Sequence, residues 1–554
     1  MISMRIPKNV PENKILAILL VVVIITMTVR VVDIDKPYET WDEITTYSLG
    51  LNMWYNIVKG DFSSDTWKTY NPDWSGSLHP PLVRYTYGIV NGGYMISQTG
   101  FSLFSSGYDD AVYQLYIYKN LAPGRALSAV FAAATAVLLF LMTRKYFGVK
   151  TAVVAALLFA LLPVSIAQTK IAALDAMLVF MYTVTLYLFI KGLENKKYFY
   201  VALIFTGLSI ATKYNSATLF ALLPLLYFAF PKPKAIGKKY LFLIPIVSLI
   251  VLFLIWPRFW PDPIGAAFAN VNGWLAMGGG NVGEYLLGQF STRQPAYYDI
   301  IYLLVTAPAI LISFFFLGAI KSVKTAFSKK DYGHRMFLLW FLVPLILYSL
   351  FQFKMNGPRY TFMIYPAFAA LMAIGIMWFI KFVKTKTKSR GNIDYYAIVG
   401  IIFAYLIVSL VLIHPYYLDY YNEFTGGPKN VYENNLFVVG RWGEGIGEAS
   451  YYVYDIAEEN ATVQFFVMPR HAIPPLRENL IDLTPFVPKY ISEKEQNENW
   501  DLTGVTAKAE YIVENTYFRV YMNVTFNKLI SNDYDLIHTV EAQGAPLAWI
   551  YKRK

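Results

Sequence analysis

The chain has no cysteine in 554 residues. A disulfide, a thiolate nucleophile and a Cys-ligated zinc are therefore all excluded, although this absence alone assigns no compartment. Charge is also scarce: 15% of residues are charged against 56% hydrophobic, which is too apolar for an ordinary soluble domain. A dinucleotide fingerprint is missing as well. The glycine-rich stretch from Gly440 to Gly447 carries Glu448 where the last glycine of G-x-G-x-x-G belongs, so it reads as a tight strand-to-helix turn. Internal repeats and mid-span ionisable pairs, the marks of a transporter, are not seen. The C-terminal part holds no Trp-Trp-Asp-like tripeptide.

Long apolar runs fill the space these absences leave. Ile15–Val32 follows Arg5, Lys8 and Lys14 and reads as a retained anchor with a cytoplasmic N-terminus, since it is long and has no small-residue cleavage site. Ten further runs approach spanning length: Ala126–Met142, Ala152–Ile166, Ala176–Ile190, Tyr198–Ala211, Ala217–Phe230, Tyr240–Trp256, Ile300–Ile320, Met336–Phe351, Thr361–Phe379 and Tyr395–Ile413. The expectation is about eleven spans over residues 1–413. Alternate connections are basic, with Arg144/Lys145/Lys150, Lys191/Lys196/Lys197, Lys232–Lys239, Lys321–Arg335 and Lys381–Arg390. They fall on one side only if Tyr85–Phe101, which holds Asn91 and Gln98, lies in the interface without crossing. The net charge of +11 is then a sign of membrane topology, with no nucleic acid implied. Residues 33–124 become an external loop, and His414–Lys554 an external α/β domain. In that domain strands are expected at Leu436–Val439, Val463–Val467, Tyr511–Val513, Tyr517–Met522 and Leu547–Tyr551, with a helix over Glu448–Glu458.

The external loop opens with Thr40-Trp41-Asp42-Glu43. As a T-x-x-E pattern it forms a capping box on a helix Ile44–Val58. An Asp in a first helical turn is also kept ionised by the helix dipole, as a general base must be. His79-Pro80-Pro81-Leu82 makes a rigid corner, with Arg84 two residues beyond it. Arg125, Asp175, Lys213 and the Arg359-Tyr360 pair stand at the ends of spans. Each suits an interfacial anchor or a cap. Together they collect acids and bases at one membrane face, where cations can hold a phosphate.

This ordered set resembles the polyprenyl-phosphate-dependent glycosyltransferases of the GT-C fold, in the branch of protein O-mannosyltransferases and the lipid A aminoarabinose transferase. The matching pieces are Asp42-Glu43, His79-Pro80-Pro81-Leu82, Arg125-Ala126-Leu127-Ser128, Ala173-Leu174-Asp175, Thr212-Lys213-Tyr214, Pro358-Arg359-Tyr360 before Pro366, and Trp442-Gly443-Glu444-Gly445. A β-trefoil insertion between spans, as in eukaryotic O-mannosyltransferases, is missing, so a protein Ser/Thr acceptor is not implied. The resemblance implies inverting transfer of mannose or another hexose from dolichyl or undecaprenyl phosphate to an external hydroxyl of a protein, lipid or glycan, at the plasma membrane. It makes Asp42 the base, Glu43 its neighbour and Asp175 a second acid. Arg125 becomes a phosphate ligand, with His79, Arg84, Lys213, Arg359 and Tyr360 as further donor contacts. No cofactor is implied beyond the lipid-linked sugar, and a divalent metal is left open. The alternatives are an oligosaccharyltransferase-like enzyme, a glycosidase using Asp42 and Asp175 as a pair, and a polytopic lipid or sugar transporter.

Overall fold

The computed structural model describes residues 11–554 except 64–65, 68–78, 101–119, 231–234, 278–283, 292, 328–330, 351–356, 389–391, 468–471, 478, 484–507, 522–529 and 531. Among the described residues, eight helices are long and apolar enough to cross a membrane, which makes this a multi-pass membrane protein. The first apolar run forms α1 (Glu12–Val31). Helix α2 (Glu43–Lys59) ends at Gly60, whose φ of 69° only glycine adopts freely. Beyond the His79-Pro80-Pro81 corner comes α3 (Leu82–Thr99), which is not among the eight spanning candidates.

Helices α2 and α3 touch backbone to backbone. A Cβ on Gly50 would lie 2.0 Å from the Arg84 carbonyl oxygen, and one on Gly88 would lie 2.5 Å from the Gly50 carbonyl carbon. This contact fixes Arg84 against the helix that begins at Glu43.

Helix α4 (Ala122–Leu161) spans 40 residues and contains Gly148 at φ 81°, so it is two helices joined at a kink. They correspond to two of the expected runs. Next come α5 (Pro163–Lys170), α6 (Leu174–Gly192), α7 (Lys196–Thr212), α8 (Leu219–Ala229) and α9 (Leu243–Ile255). The 17 residues of α7 fall just short of the 18 required of a spanning candidate. Helix α10 (Pro263–Met277) leads to an antiparallel hairpin of β1 (Glu284–Leu286) and β2 (Gln289–Ser291).

The single expected run Ile300–Ile320 is in fact two helices, α11 (Tyr298–Val305) and α12 (Ala309–Ala326). The break falls at Pro308, which has no N–H to continue the ladder. Then follow α13 (Tyr332–Leu350), α14 (Tyr365–Thr387) and α15 (Ile393–Ile413). A 3₁₀ segment, Gly357–Ile364, precedes α14. Helices α12 and α14 also cross through glycines: a Cβ on Gly318 would be 1.8 Å from the Leu371 oxygen, and one on Gly375 would be 1.9 Å from the Phe314 oxygen. Small residues permit this approach, and it places α14 deep in the bundle.

Past α15 the chain forms α16 (Gly427–Glu433), α17 (Ile446–Ile456) and a five-stranded sheet. The strands are β3 (Thr462–Phe466), β4 (Ile481–Asp482), β5 (Tyr511–Asn515), β6 (Tyr534–Ala542) and β7 (Ala545–Arg553) in the order β4-β3-β5-β7-β6. Strand β3 is parallel to β4 and β5, while β5, β7 and β6 are antiparallel. The α/β expectation thus describes this unit, with two corrections of detail. Leu436–Val439 forms no strand beyond one bridge between Phe437 and Leu286. The expected strand at Tyr517 is helix α18 (Thr516–Tyr521), because the Asn515 side chain accepts the Phe518 N–H at 3.1 Å and caps a helix there.

Candidate active site

Asp42 sits at the N-terminus of α2. Its backbone oxygen accepts the Thr46 N–H at 3.0 Å and the Thr46 hydroxyl at 2.7 Å. The residue before it, Trp41, donates its N–H to the Trp442 carbonyl at 3.0 Å, tying the first loop to the C-terminal unit. The Asp42 side chain is 24% exposed. Its Oδ2 receives Arg359 Nη2, and among the described residues Oδ1 carries no hydrogen bond. Arg359 Nε donates to Asp175 Oδ2 at 2.8 Å, and Lys213 Nζ donates to Asp175 Oδ1 at 2.7 Å. Asp175 and Lys213 are buried. The result is a line of alternating charge, Asp42–Arg359–Asp175–Lys213, running from a part-open carboxylate to the interior.

Local sequence places each member. Asp175 lies in the first turn of α6, after extended Ala173. Lys213 is the extended residue that closes α7. Arg359 rides on the 3₁₀ turn opened by Gly357 at φ 61°, where a Cβ would press on the Tyr302 ring at 3.2 Å. The Arg359 guanidinium lies 4.3 Å from the Trp442 ring centre, and Lys213 Nζ lies 4.9 Å from that of Tyr360. Both are cation–π contacts. Tyr360 itself is buried, and its carbonyl accepts the Asn215 side chain at 2.6 Å.

Glu43 takes a different path from its neighbour. Only half of the expected capping box forms: Glu43 Oε2 accepts the Thr40 N–H at 3.1 Å, while the Thr40 hydroxyl donates to the same carboxylate at 3.0 Å. That carboxylate is fully buried against Arg125, whose Nε and Nη2 donate to it at 2.8 and 2.6 Å, and it also accepts the Ala172 N–H at 2.9 Å. Burial alone pushes the Glu43 carboxyl up, but the charge and hydrogen bonds of Arg125 outweigh it and leave the group below the usual carboxylate value. Arg125 spends further donors on the Ile34 and Tyr38 carbonyls at 2.7 and 2.9 Å. The pair therefore staples the first loop to the start of α4.

On the other side of Asp42 the charges are positive. Arg84 is buried and brought down to about 10 by that burial, against the pull of Asp42. His79 is held well below its ordinary value, by burial first and then by Arg84, Lys213 and Arg359. It is neutral at pH 7. Among the described residues, the carboxylates Asp42 and Asp175 thus face the cations Arg84, Lys213 and Arg359. Arg258 is a further buried cation whose field reaches Tyr214, the residue after Lys213.

A second buried charge group meets the first at Trp442. Arg441 Nη2 lies 3.0 Å from Glu284 Oε2. Tyr298 donates its hydroxyl to the same Glu284 oxygen and accepts the Gly357 N–H at 2.9 Å. Asp419 Oδ1 accepts the Gly440 N–H, and Glu444 Oε2 accepts the Trp442 N–H, both at 2.7 Å. Burial pushes Glu444 up to about 7, and burial and then the charge of Glu444 hold Asp419 well above its ordinary value. Among the described residues no group of three or more His, Asp and Glu side chains is arranged to hold a metal.

Sequence reasoning did not single out Arg258, Glu284 or Asp419, and it read Trp442 and Glu444 as parts of a turn and of a motif that carries the resemblance, with no role at the site. Arg258 carries a signal in Trp256-Pro257-Arg258-Phe259-Trp260, an Arg among aromatics just past an apolar run. Glu284 and Asp419 have no such local mark. Only the fold makes them neighbours of the turn.

Residues 112–256 match the family model of dolichyl-phosphate-mannose-protein mannosyltransferases. Arg125, Asp175, Lys213 and the membrane helices around them lie within that match. The chain is also similar to solved structures. ArnT from Cupriavidus metallidurans bound to undecaprenyl phosphate is 12% identical, with 98% of each chain covered and a TM-score of 0.48. The oligosaccharyltransferase AglB from Archaeoglobus fulgidus, in complex with an inhibitory peptide and a dolichol-phosphate, is 14% identical over 94% of this chain and 73% of that one, at TM-score 0.49. The S. cerevisiae Pmt1-Pmt2 protein O-mannosyltransferase complex bound to the sugar donor is 18% identical over 49% and 34%, at TM-score 0.30. No curated protein sequence matches the chain.

Proposed function

We propose that this protein is an inverting membrane glycosyltransferase of the GT-C kind that moves a hexose from a polyprenyl phosphate to an acceptor hydroxyl on the external side. The observation that carries the reading is Asp42. It is part-exposed, with one oxygen fixed by Arg359 and the other left to accept, at the mouth of a buried group that holds Arg84, Lys213 and Arg359. The partial match to the mannosyltransferase family model supports the same donor class.

In this reading the acceptor oxygen attacks the anomeric carbon while its proton passes to Asp42 Oδ1. The bond from that carbon to the phosphate oxygen breaks, and the leaving phosphate keeps the electron pair. A phosphate monoester leaves already ionised, so one base suffices and no general acid is needed. Arg84 and Lys213 stabilise the departing charge, and neutral His79 adds a hydrogen bond. Arg359 orients Asp42, and Asp175 orients Arg359. Arg125 is better employed holding Glu43 and the loop carbonyls than as a phosphate ligand, because four hydrogen bonds already engage it. The N-terminus faces the cytoplasm, and α3 lies in the interface.

The test is direct. Purified protein is given labelled dolichyl- and undecaprenyl-phosphate hexoses with native membranes, and the labelled product is identified. Transfer of the hexose to a membrane or protein acceptor is expected. Release of free sugar alone would point to a glycosidase, and no product from any lipid-linked sugar would overturn the reading.

A further inference from the structure

The second charge group surrounds a cavity of about 40 Å³, lined among others by Gln168 from α5, by Asp419, and by Arg441, Trp442 and Glu444 of the glycine-rich turn. One ordered water needs roughly 10–15 Å³, so the space has room for a few waters. Its lining residues carry six buried polar atoms without a hydrogen-bond partner among the described residues: the Tyr302 and Tyr420 hydroxyls, Arg441 Nη2, and the acceptor oxygens Gln168 Oε1, Asp419 Oδ2 and Glu444 Oε1. The last three belong to residues that are 1%, 3% and 1% exposed. Leaving such groups unpaired is costly, and more so for a charge.

Among the described residues, Asp419 and Glu444 form no ion pair, and the guanidinium of Arg441 pairs with Glu284. Arg441 lines the same cavity, but its nearest carboxylate is Glu284.

We propose that Asp419, Glu444 and Gln168 bind one divalent cation of the Mg²⁺, Mn²⁺ or Ca²⁺ type, distinct from the transfer centre. The donors are all oxygen, which suits a hard cation and disfavours zinc in this Cys-free chain. Two carboxylates and an amide are fewer ligands than a closed cage provides. Mg²⁺ in particular retains several waters, and the cavity has room for them. Such an ion joins three parts of the chain: helix α5, the segment after α15, and the turn that sets Trp442 against Arg359. Its role is to hold that turn, so it takes no part in the chemistry.

The test uses the full-length protein in detergent, treated with chelator, dialysed and titrated with Mn²⁺ at pH 8 while the free-Mn²⁺ electron paramagnetic resonance signal is followed. One site per chain is expected, and Mn²⁺ should raise the melting temperature. Losing a direct ligand should weaken binding at least about tenfold, the lower end of what even outer-sphere losses cost. That is the result expected of Asp419→Asn with Glu444→Gln. Gln168→Ala, which keeps both carboxylates if the double variant does not fold, should also bind more weakly. Asp42→Asn should bind Mn²⁺ as the wild type does. No stoichiometric binding would overturn the proposal, since protons on Asp419 and Glu444 would then take the place of the ion. So would a site that survives both sets of substitutions, or one that disappears in Asp42→Asn. None of these readouts needs a donor, an acceptor or transfer, so the proposal can fail while the transferase reading stands, and the reverse.

Discussion

Two charge clusters meet at Trp442, and among the described residues they differ in make-up. Around Asp42, two acids meet Arg84, Lys213 and Arg359. Around the glycine-rich turn, Glu284, Asp419 and Glu444 meet Arg441. A buried charge is expensive unless something of the other sign meets it. In the proposed reading the first receives the phosphate of a polyprenyl phosphate and the second a cation. A third cluster, Glu43 with Arg125, is balanced, fully hydrogen-bonded and closed. What separates a staple from a site here is the acceptor oxygens left open: Asp42 Oδ1 in the first cluster, and Asp419 Oδ2 and Glu444 Oε1 in the second.

The largest expected effect breaks the balanced pair. Glu43→Gln or Arg125→Met alone leaves one buried charge unpaired and should cost about 3–5 kcal/mol of stability, whereas Glu43→Leu with Arg125→Met together should recover most of it. Thermal melts of the three variants in one detergent check this. The Glu43 carboxyl is depressed in the fold, so its contribution is present above the unfolded carboxylate range and is lost as pH falls through the folded value. The gap between wild type and Glu43→Gln should accordingly narrow in acid. A constant gap would show that shape, rather than charge, holds the loop.

The next effect sharpens the contrast between the two open clusters. Arg84→Gln should weaken binding of a polyprenyl phosphate by about 1.5–3 kcal/mol, the worth of a charge-assisted hydrogen bond. The same change should leave Mn²⁺ binding untouched. Lipid titration against the Mn²⁺ assay separates the two, and equal losses in both would mean that the clusters are one. The smallest effect is at their junction. Trp442→Leu removes the ring beneath Arg359, a contact worth about 0.5–2 kcal/mol. It should cut transfer by a similar free energy while the Arg359–Asp175 ion pair persists, and the rate ratio measures it.

Much of this was legible in the chain itself. Apolar runs announce the helices, because a bilayer sets their length and a kink such as Gly148 still shows as a basic, polar interruption. Asp42 was marked by the T-x-x-E pattern of the external loop, and Asp175, Lys213 and Arg359 by position, as ionisable residues at the ends of apolar runs. Their mutual contacts were not legible, because 317 residues separate Asp42 from Arg359 and no local pattern encodes that distance. Adjacent Asp42 and Glu43 looked like one functional unit. On a helix start, neighbouring side chains point about 100° apart, and here one meets Arg359 while the other meets Arg125. The break at Pro308 was readable from the proline itself. Glu284 and Asp419 lay beyond sequence reasoning, since their partners come from a hairpin, a junction and a turn that only the tertiary fold assembles.

The measurement that tests the central claim most directly compares donor binding and transfer in Asp42→Asn. The change keeps the shape, removes the proton acceptor and takes a negative charge away from Arg84, Lys213 and Arg359. The account predicts that a polyprenyl phosphate binds the variant at least as tightly as it binds the wild type, while transfer falls by at least about a hundredfold, the low end of the range for a lost general base. Transfer at near wild-type rates, or a loss of lipid binding that fully accounts for the lost rate, would contradict it.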